Sequence, residues 1–129
     1  ELIGLPTALI LGGAKSVICP IWEVDELSTF LFTEAFYEAL PEETYLSGAL
    51  EKAQTYLRGL TLEQINYKLH TFEQSQLIKS SIIQQYKENL KDKFSLHEKP
   101  LSSPYFWAAY QMYGCDLKIL TSSLKTVSI

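Results

Sequence analysis

The sequence predicts an α/β layered fold, mostly helical with two or three strands, because runs with helical apolar spacing alternate along it with short β-branched or aromatic runs. Size and composition agree: 129 residues, 47% of them apolar, allow one domain with a real core. The charge balance narrows the partners. Eleven Lys+Arg against fifteen Asp+Glu, a net charge of −4, leave no basic field for neutralising phosphates, so nucleic acid is not expected as a direct partner. Two cysteines, no signal-peptide pattern and no apolar run of about 18 residues lead to the expectation of a cytoplasmic protein with no membrane partner.

Taken in order, Leu5 to Leu11 reads as a short apolar helix. Pro6 is tolerated in its first turn, where an N–H has no intrahelical partner, and Gly12-Gly13 stops it by permitting positive φ. Ser16 to Trp22 is an apolar run rich in β-branched residues and too brief for a good helix, so a buried strand is expected. Pro20 has no N–H for a central ladder, so the strand ends early or bulges there. Asp25 stands where a helix N-cap belongs, ahead of Leu27, Phe30, Leu31, Phe32, Ala35, Phe36 and Leu40. That helix is apolar nearly all round and is expected to be buried on more than one side, with Pro41 marking its exit.

Leu46, Ala49, Leu50, Ala53 and Leu57 fall on one helical face, predicting a helix from about Leu46 to Arg58 that Gly59 stops. Two capping-box matches, Thr61 with Gln64 and Thr71 with Gln74, each predict a new helix. The second is expected to run to about Phe94 with a narrow apolar stripe through Ile78, Ile82, Tyr86, Leu90 and Phe94, which suits a surface helix or a partner groove. Ser102-Ser103-Pro104 introduces Tyr105 to Tyr113, an aromatic run read as the last strand with a helical turn at its start. Given the acidic balance, its rings are assigned to packing and not to stacking on bases. The segment from Asp116 to Ile129 is expected to fray.

Five segments, by their order and spacing, carry a family resemblance: Gly4-Leu5-Pro6, Gly13-Ala14-Lys15-Ser16-Val17-Ile18, Ile21-Trp22-Glu23-Val24-Asp25, Ala49-Leu50-Glu51-Lys52-Ala53-Gln54, and Pro104-Tyr105-Phe106-Trp107-Ala108-Ala109-Tyr110. Together they resemble the second half of a CHAT domain, a caspase-like cysteine peptidase family related to separase and often found behind tetratricopeptide repeats. The resemblance implies the C-terminal part of a caspase-like three-layer α/β/α sandwich, with an open, mostly parallel sheet and catalytic His and Cys at the ends of two neighbouring strands. Glu1 stands in mid-motif, and the resemblance puts both catalytic groups upstream of it. No catalytic residue is therefore assigned within the chain, and the isolated chain is expected to have no peptidase activity. Leu60 to Lys99 has no counterpart in compact members, so a peripheral helical insert is expected at about 61–98.

By the same resemblance Leu5 to Leu11 is the helix after the nucleophile strand, Ser16 to Trp22 is the next strand, and the loop from Trp22 to Asp25 borders the active-site cleft. This agrees with the rule that open α/β sheets bind ligands beyond the carboxyl ends of their strands. Trp22, Glu23 and Asp25 are the candidate substrate-binding residues. Glu23, Asp25 and Glu26 cluster there and favour a basic side chain by charge pairing. Asp25 as N-cap with Glu26 in the first turn accounts for two of these carboxylates without a substrate, and both roles can hold together. Trp22 is either a pocket wall or an amphipathic residue closing a strand end.

Cys19, Cys115, His70 and His97 allow a Cys/His pair on paper, but core cysteines and surface histidines are the simpler assignment. No Cys-x-x-Cys or His-x-x-x-His spacing occurs, so no metal and no cofactor are assigned. The function expected first is that of a caspase-like cysteine endopeptidase, to which this chain contributes sheet, helices and one wall of the specificity pocket. Its partners are then the upstream half of the CHAT domain, a protein or peptide substrate, and tetratricopeptide repeats. The alternative is a non-catalytic CHAT protein-interaction module of a multidomain signalling protein, docking through the Thr71 to Phe94 helix. An unrelated doubly wound nucleotide-binding domain is disfavoured, since the chain has no Gly-x-Gly-x-x-Gly and no phosphate loop.

Overall fold

The computed structural model describes residues 4–119. Its elements are α1 (Gly4–Leu11), β1 (Ser16–Pro20), α2 (Glu26–Ala39), a 3-10 turn (Leu40–Glu42), α3 (Leu46–Gly59), α4 (Leu62–Gln74), α5 (Ser80–Lys93), α6 (Pro104–Trp107) and β2 (Tyr110–Gly114). The fold is thus mixed α/β and mostly helical. Gly13 takes φ 113° just after α1, the conformation its missing Cβ allows, and the chain turns into β1.

β1 and β2 pair antiparallel, in register from Ser16 opposite Gly114 to Pro20 opposite Tyr110. Against the mostly parallel sheet implied by the family resemblance, the one strand pair among the described residues is antiparallel. β1 ends at Pro20, as the missing N–H requires, although the Ile21 N–H still donates to the Ala109 carbonyl at 2.8 Å. The expected buried strand is only half-buried, because among the described residues it has a strand on one side alone. Gly114, at φ 93°, ends β2 against the Lys15 carbonyl, where a Cβ would collide.

Asp25 caps α2 as predicted, its carboxylate accepting from the Ser28 N–H at 2.7 Å. The expectation of burial on more than one side is corrected: Leu27, Ser28, Leu31, Phe32, Ala35 and Ala39 are buried, whereas Thr29, Thr33 and Tyr37 are exposed. The threonines and the tyrosine make that side amphipathic enough to stay in water, with Phe30 and Phe36 half-buried at its margins. α3 lies against α2 with the small residues Ala49 and Ala53 in the contact, and Leu57 closes it. Phe32 stacks on Tyr110 of β2 with centroids 3.7 Å apart, joining helix to sheet. Gly59 is the last residue of α3, and Leu60 forms the cap.

The Thr61–Gln64 capping box is present with both hydrogen bonds, and α4 follows it. The second box is not formed. Thr71 lies inside α4, where its hydroxyl donates to the Tyr67 carbonyl at 3.1 Å, and α5 begins only at Ser80, without a side-chain cap. The apolar spacing Leu62, Ile65, Leu69, Phe72 runs straight through Thr71, and its burial outweighs a local capping signature. The peripheral character expected for this region is corrected too. Leu60, Ile65, Leu69, Phe72 and Ile83 belong to the same core cluster as Leu27, Leu31 and Phe32. Of the predicted stripe, Ile78, Tyr86 and Leu90 are half-buried against that core, and Ile83 of α5 is fully buried in it.

The predicted fraying from Asp116 is corrected for Asp116 to Ile119. The Asp116 carboxylate accepts from the Ser47 N–H at 2.9 Å and the Ser47 hydroxyl at 2.6 Å, so it caps the first turn of α3 from a distant part of the chain. The Leu46 N–H donates to the Leu117 carbonyl at 3.0 Å and the Ile119 N–H to the Thr44 carbonyl at 2.7 Å. The rest of that expectation, residues 120–129, lies outside the described residues.

Candidate functional site

The loop that leaves β1 is held by α6. The Trp22 indole N–H donates to the Tyr105 carbonyl at 2.8 Å, the two rings stack with centroids 6.4 Å apart, and the Tyr105 hydroxyl donates to the Glu23 carbonyl at 2.6 Å. α6 is itself fastened: the Ser103 hydroxyl accepts from the Tyr105 N–H at 3.4 Å, the Trp107 indole N–H donates to the Ser102 carbonyl at 2.9 Å, and the Arg58 guanidinium lies 5.1 Å from the Trp107 ring centroid. Two residues beyond Glu23, the Thr29 hydroxyl donates to the Asp25 carbonyl at 3.1 Å and accepts from the Tyr110 hydroxyl at 3.4 Å. α6 therefore grips the loop at Trp22 and Glu23 and α2 at Asp25, while Tyr110 of β2 reaches it only through Thr29.

These bonds use backbone carbonyls and ring groups, leaving the loop's charges outward. Glu23, Asp25 and Glu26 are all exposed, and among the described residues none of them takes part in an ion pair. Asp25 has one carboxylate oxygen committed to the Ser28 N–H. Three carboxylates so close together hold a negative potential that a guanidinium or ammonium group would neutralise.

The structure joins Trp22 and Glu23 through Tyr105 and places Asp25 on the neighbouring turn at the start of α2. None of the three lines a principal cavity; Val24 and Glu26, between and beside them, line one of about 510 Å³. Two residues of this neighbourhood escaped the sequence reading. Tyr105 was assigned to packing but is exposed and serves as the clamp; its position next to Pro104, opening an aromatic segment, is the signal that pointed there. Tyr86 of α5 faces the start of α2, where it feels the Leu27 and Glu26 N–H groups and the field of the Asp25 and Glu26 carboxylates. Burial pushes its pKa up most, the Leu27 N–H opposes that, and the two carboxylates reinforce it.

Cys19 sits half-buried on β1 opposite Gln111, where burial raises its thiol pKa and so lowers its nucleophilic fraction. Cys115, His70 and His97 are exposed. Among the described residues no hydrogen bond joins a cysteine to a histidine, and no three His, Cys, Asp or Glu side chains are grouped as a metal site would need. No described helix is long and apolar enough to cross a membrane.

A family model, the CHAT domain, matches residues 1–115. The chain belongs to the CHAT domain family, and the match runs through α4 and α5 as well as the segments that carry the resemblance. No curated protein and no solved structure matches it.

Proposed function

We propose that the chain is the carboxyl-terminal portion of a caspase-like cysteine endopeptidase, with the catalytic His and Cys upstream of Glu1, and that it provides part of the substrate site. The observation that carries this is the loop from Trp22 to Asp25, which stands at the carboxyl end of β1, is held by α6 and by α2, and leaves its carboxylates exposed. Rigid backing with outward charge suits the recognition of a basic side chain next to a scissile bond, because a preorganised carboxylate costs little to order on binding. Trp22 then forms an apolar wall, Glu23 and Asp25 the cation site, and Tyr105 holds the loop in place. The nucleophile, base and oxyanion hole are assigned to the upstream half of the domain. Tetratricopeptide repeats in the same polypeptide and a cytoplasmic location belong to this proposal.

An active-site-directed test separates the parts. The full-length polypeptide is treated with an acyloxymethyl ketone carrying a peptide with a terminal Arg, and the adduct is located by mass spectrometry. Labelling of a cysteine upstream of Glu1, with loss of cleavage of an Arg peptide, is the expected result. Labelling of Cys19 or Cys115 would place the nucleophile inside this chain and overturn the assignment.

A non-catalytic interaction module is the second reading, favoured by the apolar side chains that α1 leaves in water: Leu5, Leu9 and Leu11 are all exposed. Absence of any adduct and of any cleavage, together with stable association between this chain and the upstream half, supports that reading over the first.

A further inference from the structure

The turn that ends α4 is built in a conformation its sequence does not favour. The Leu77 N–H donates to the Phe72 carbonyl at 3.3 Å and the Gln76 N–H to the Glu73 carbonyl at 3.2 Å, the paired bonds of a Schellman motif, with Gln76 at φ 59°. Glycine usually holds that left-handed position, and the apolar residue after it usually folds back on the helix it ends. Here Leu77 is 65% exposed and turns its side chain to α2, where it forms one lip of the 510 Å³ cavity. Val24, Phe30, Thr33 and Tyr37 line the rest, and Glu26 stands at its edge.

Size, chemistry and charge agree on what fits. The volume lies within the ~300–1,000 Å³ that receives small ligands, and its lining surface is mostly apolar, with polar groups on Glu26, Thr29, Thr33, Glu34 and Tyr37. Glu34, also in the lining, is already paired with Lys68 at 2.6 Å, whereas Glu26 has no ion-pair partner among the described residues. The negative edge rejects anions and favours a cation beside an apolar group. Thr33 and Tyr37 also line a second cavity of about 340 Å³ that reaches Ile18 of β1, so the depression continues along the open side of α2 far enough for an extended chain.

We propose that this cavity is a peptide subsite, which takes an apolar side chain of a polypeptide whose neighbouring residue is Lys or Arg and is read by Glu26. It rests on the reading of the Trp22 to Asp25 loop as a substrate wall, because Val24 belongs to both. The substrate would cross the loop at its carboxylates and drop its apolar residue between α2 and Leu77.

The test uses the full-length polypeptide and two blocked hexapeptides, one with adjacent Arg and Leu at its centre and one with Ala at both places, followed by amide NMR. Shifts at Val24, Glu26, Thr29 and Leu77 are expected with the first peptide only. Thr33→Trp fills the cavity from the exposed side of α2, and Leu77→Lys puts a cation on its lip. Each should weaken binding about tenfold or more, the loss of burying one leucine-sized group. Glu26→Gln should weaken the Arg-Leu peptide and leave one with Gln in place of Arg unaffected. Equal binding of the two peptides, no shifts at millimolar peptide, or affinity unchanged in both folded variants overturns the subsite. The peptidase reading fails separately: binding here with no cleavage by the full-length polypeptide sinks catalysis and keeps the subsite, whereas cleavage with an unchanged KM in Thr33→Trp does the reverse.

Discussion

Phe72→Ala measures whether α4 and α5 belong to the core or merely rest on it. Phe72 is 1% exposed and is among the largest fully buried side chains; its ring meets Phe30 of α2 edge-on, with centroids 4.5 Å apart and planes at 62°. Emptying such a site costs ~3–5 kcal/mol, of which ~0.5–1.5 kcal/mol is the aromatic pair. Ile83, fully buried on α5, offers a gentler probe: Ile83→Val removes one methylene and should cost ~0.5–1.5 kcal/mol. His70→Ala, on the exposed side of α4, serves as a control and should stay within ~0.5 kcal/mol. A single domain has only ~5–15 kcal/mol in hand, so the phenylalanine change alone should remove a large share. Urea unfolding of the chain, followed by the fluorescence of Trp22 and Trp107, reads the midpoint and slope. A loss below ~1 kcal/mol for Phe72→Ala would refute the core assignment and restore the picture of a peripheral insert.

Gln76→Gly relieves the left-handed position at the end of α4 and should stabilise the chain by about 1 kcal/mol, read as a raised unfolding midpoint. Tyr105→Phe keeps the ring stack on Trp22 and removes the hydroxyl bond to the Glu23 carbonyl; a loss of ~0.5–1.5 kcal/mol by the same unfolding measurement is expected, and no loss would remove Tyr105 from the role of clamp. Alkaline pH should destabilise the fold. Burial raises the pKa of Tyr110, Tyr86 and Tyr56, and the Glu34 carboxylate raises that of Lys68, so the folded state holds these protons more tightly than the unfolded one. Their contribution is therefore complete below the unfolded values, near pH ~10, and is lost as pH rises through the folded ones. A melting temperature that stays level from pH 9 to 11 would contradict this.

Where a feature depends on neighbours a few residues apart, the sequence showed it. Asp25 as a cap, the Thr61–Gln64 box, the Leu46 to Leu57 face of α3 and the end of β1 at Pro20 all rest on such local rules. Thr71 shows where those rules fail: its capping signature was local, while the burial of Leu69 and Phe72 that kept α4 going depended on α2, far along the chain. The end of α4 carried no usable signal either, since a Schellman turn with glutamine in the glycine position looks like ordinary helix. The loop at the candidate site was legible in place and charge. Its fastening was not, because the bonds from Tyr105 to Trp22 and Glu23 bridge 83 and 82 residues. Asp116, which looked like the start of a loose tail, closes the first turn of α3 from 69 residues away.

The role of the Trp22 to Asp25 loop is tested most directly by the cleavage preference of the full-length polypeptide carrying Asp25→Asn. Asparagine caps a helix about as well as aspartate, so the bond to the Ser28 N–H and the stability should be kept while the charge is lost. Removing a charge-assisted bond worth ~1.5–3 kcal/mol should lower kcat/KM for Lys or Arg peptides by about 10- to 150-fold and leave neutral peptides unchanged. Identical preference profiles for the parent and the variant would contradict the account, reducing Asp25 to the cap of α2.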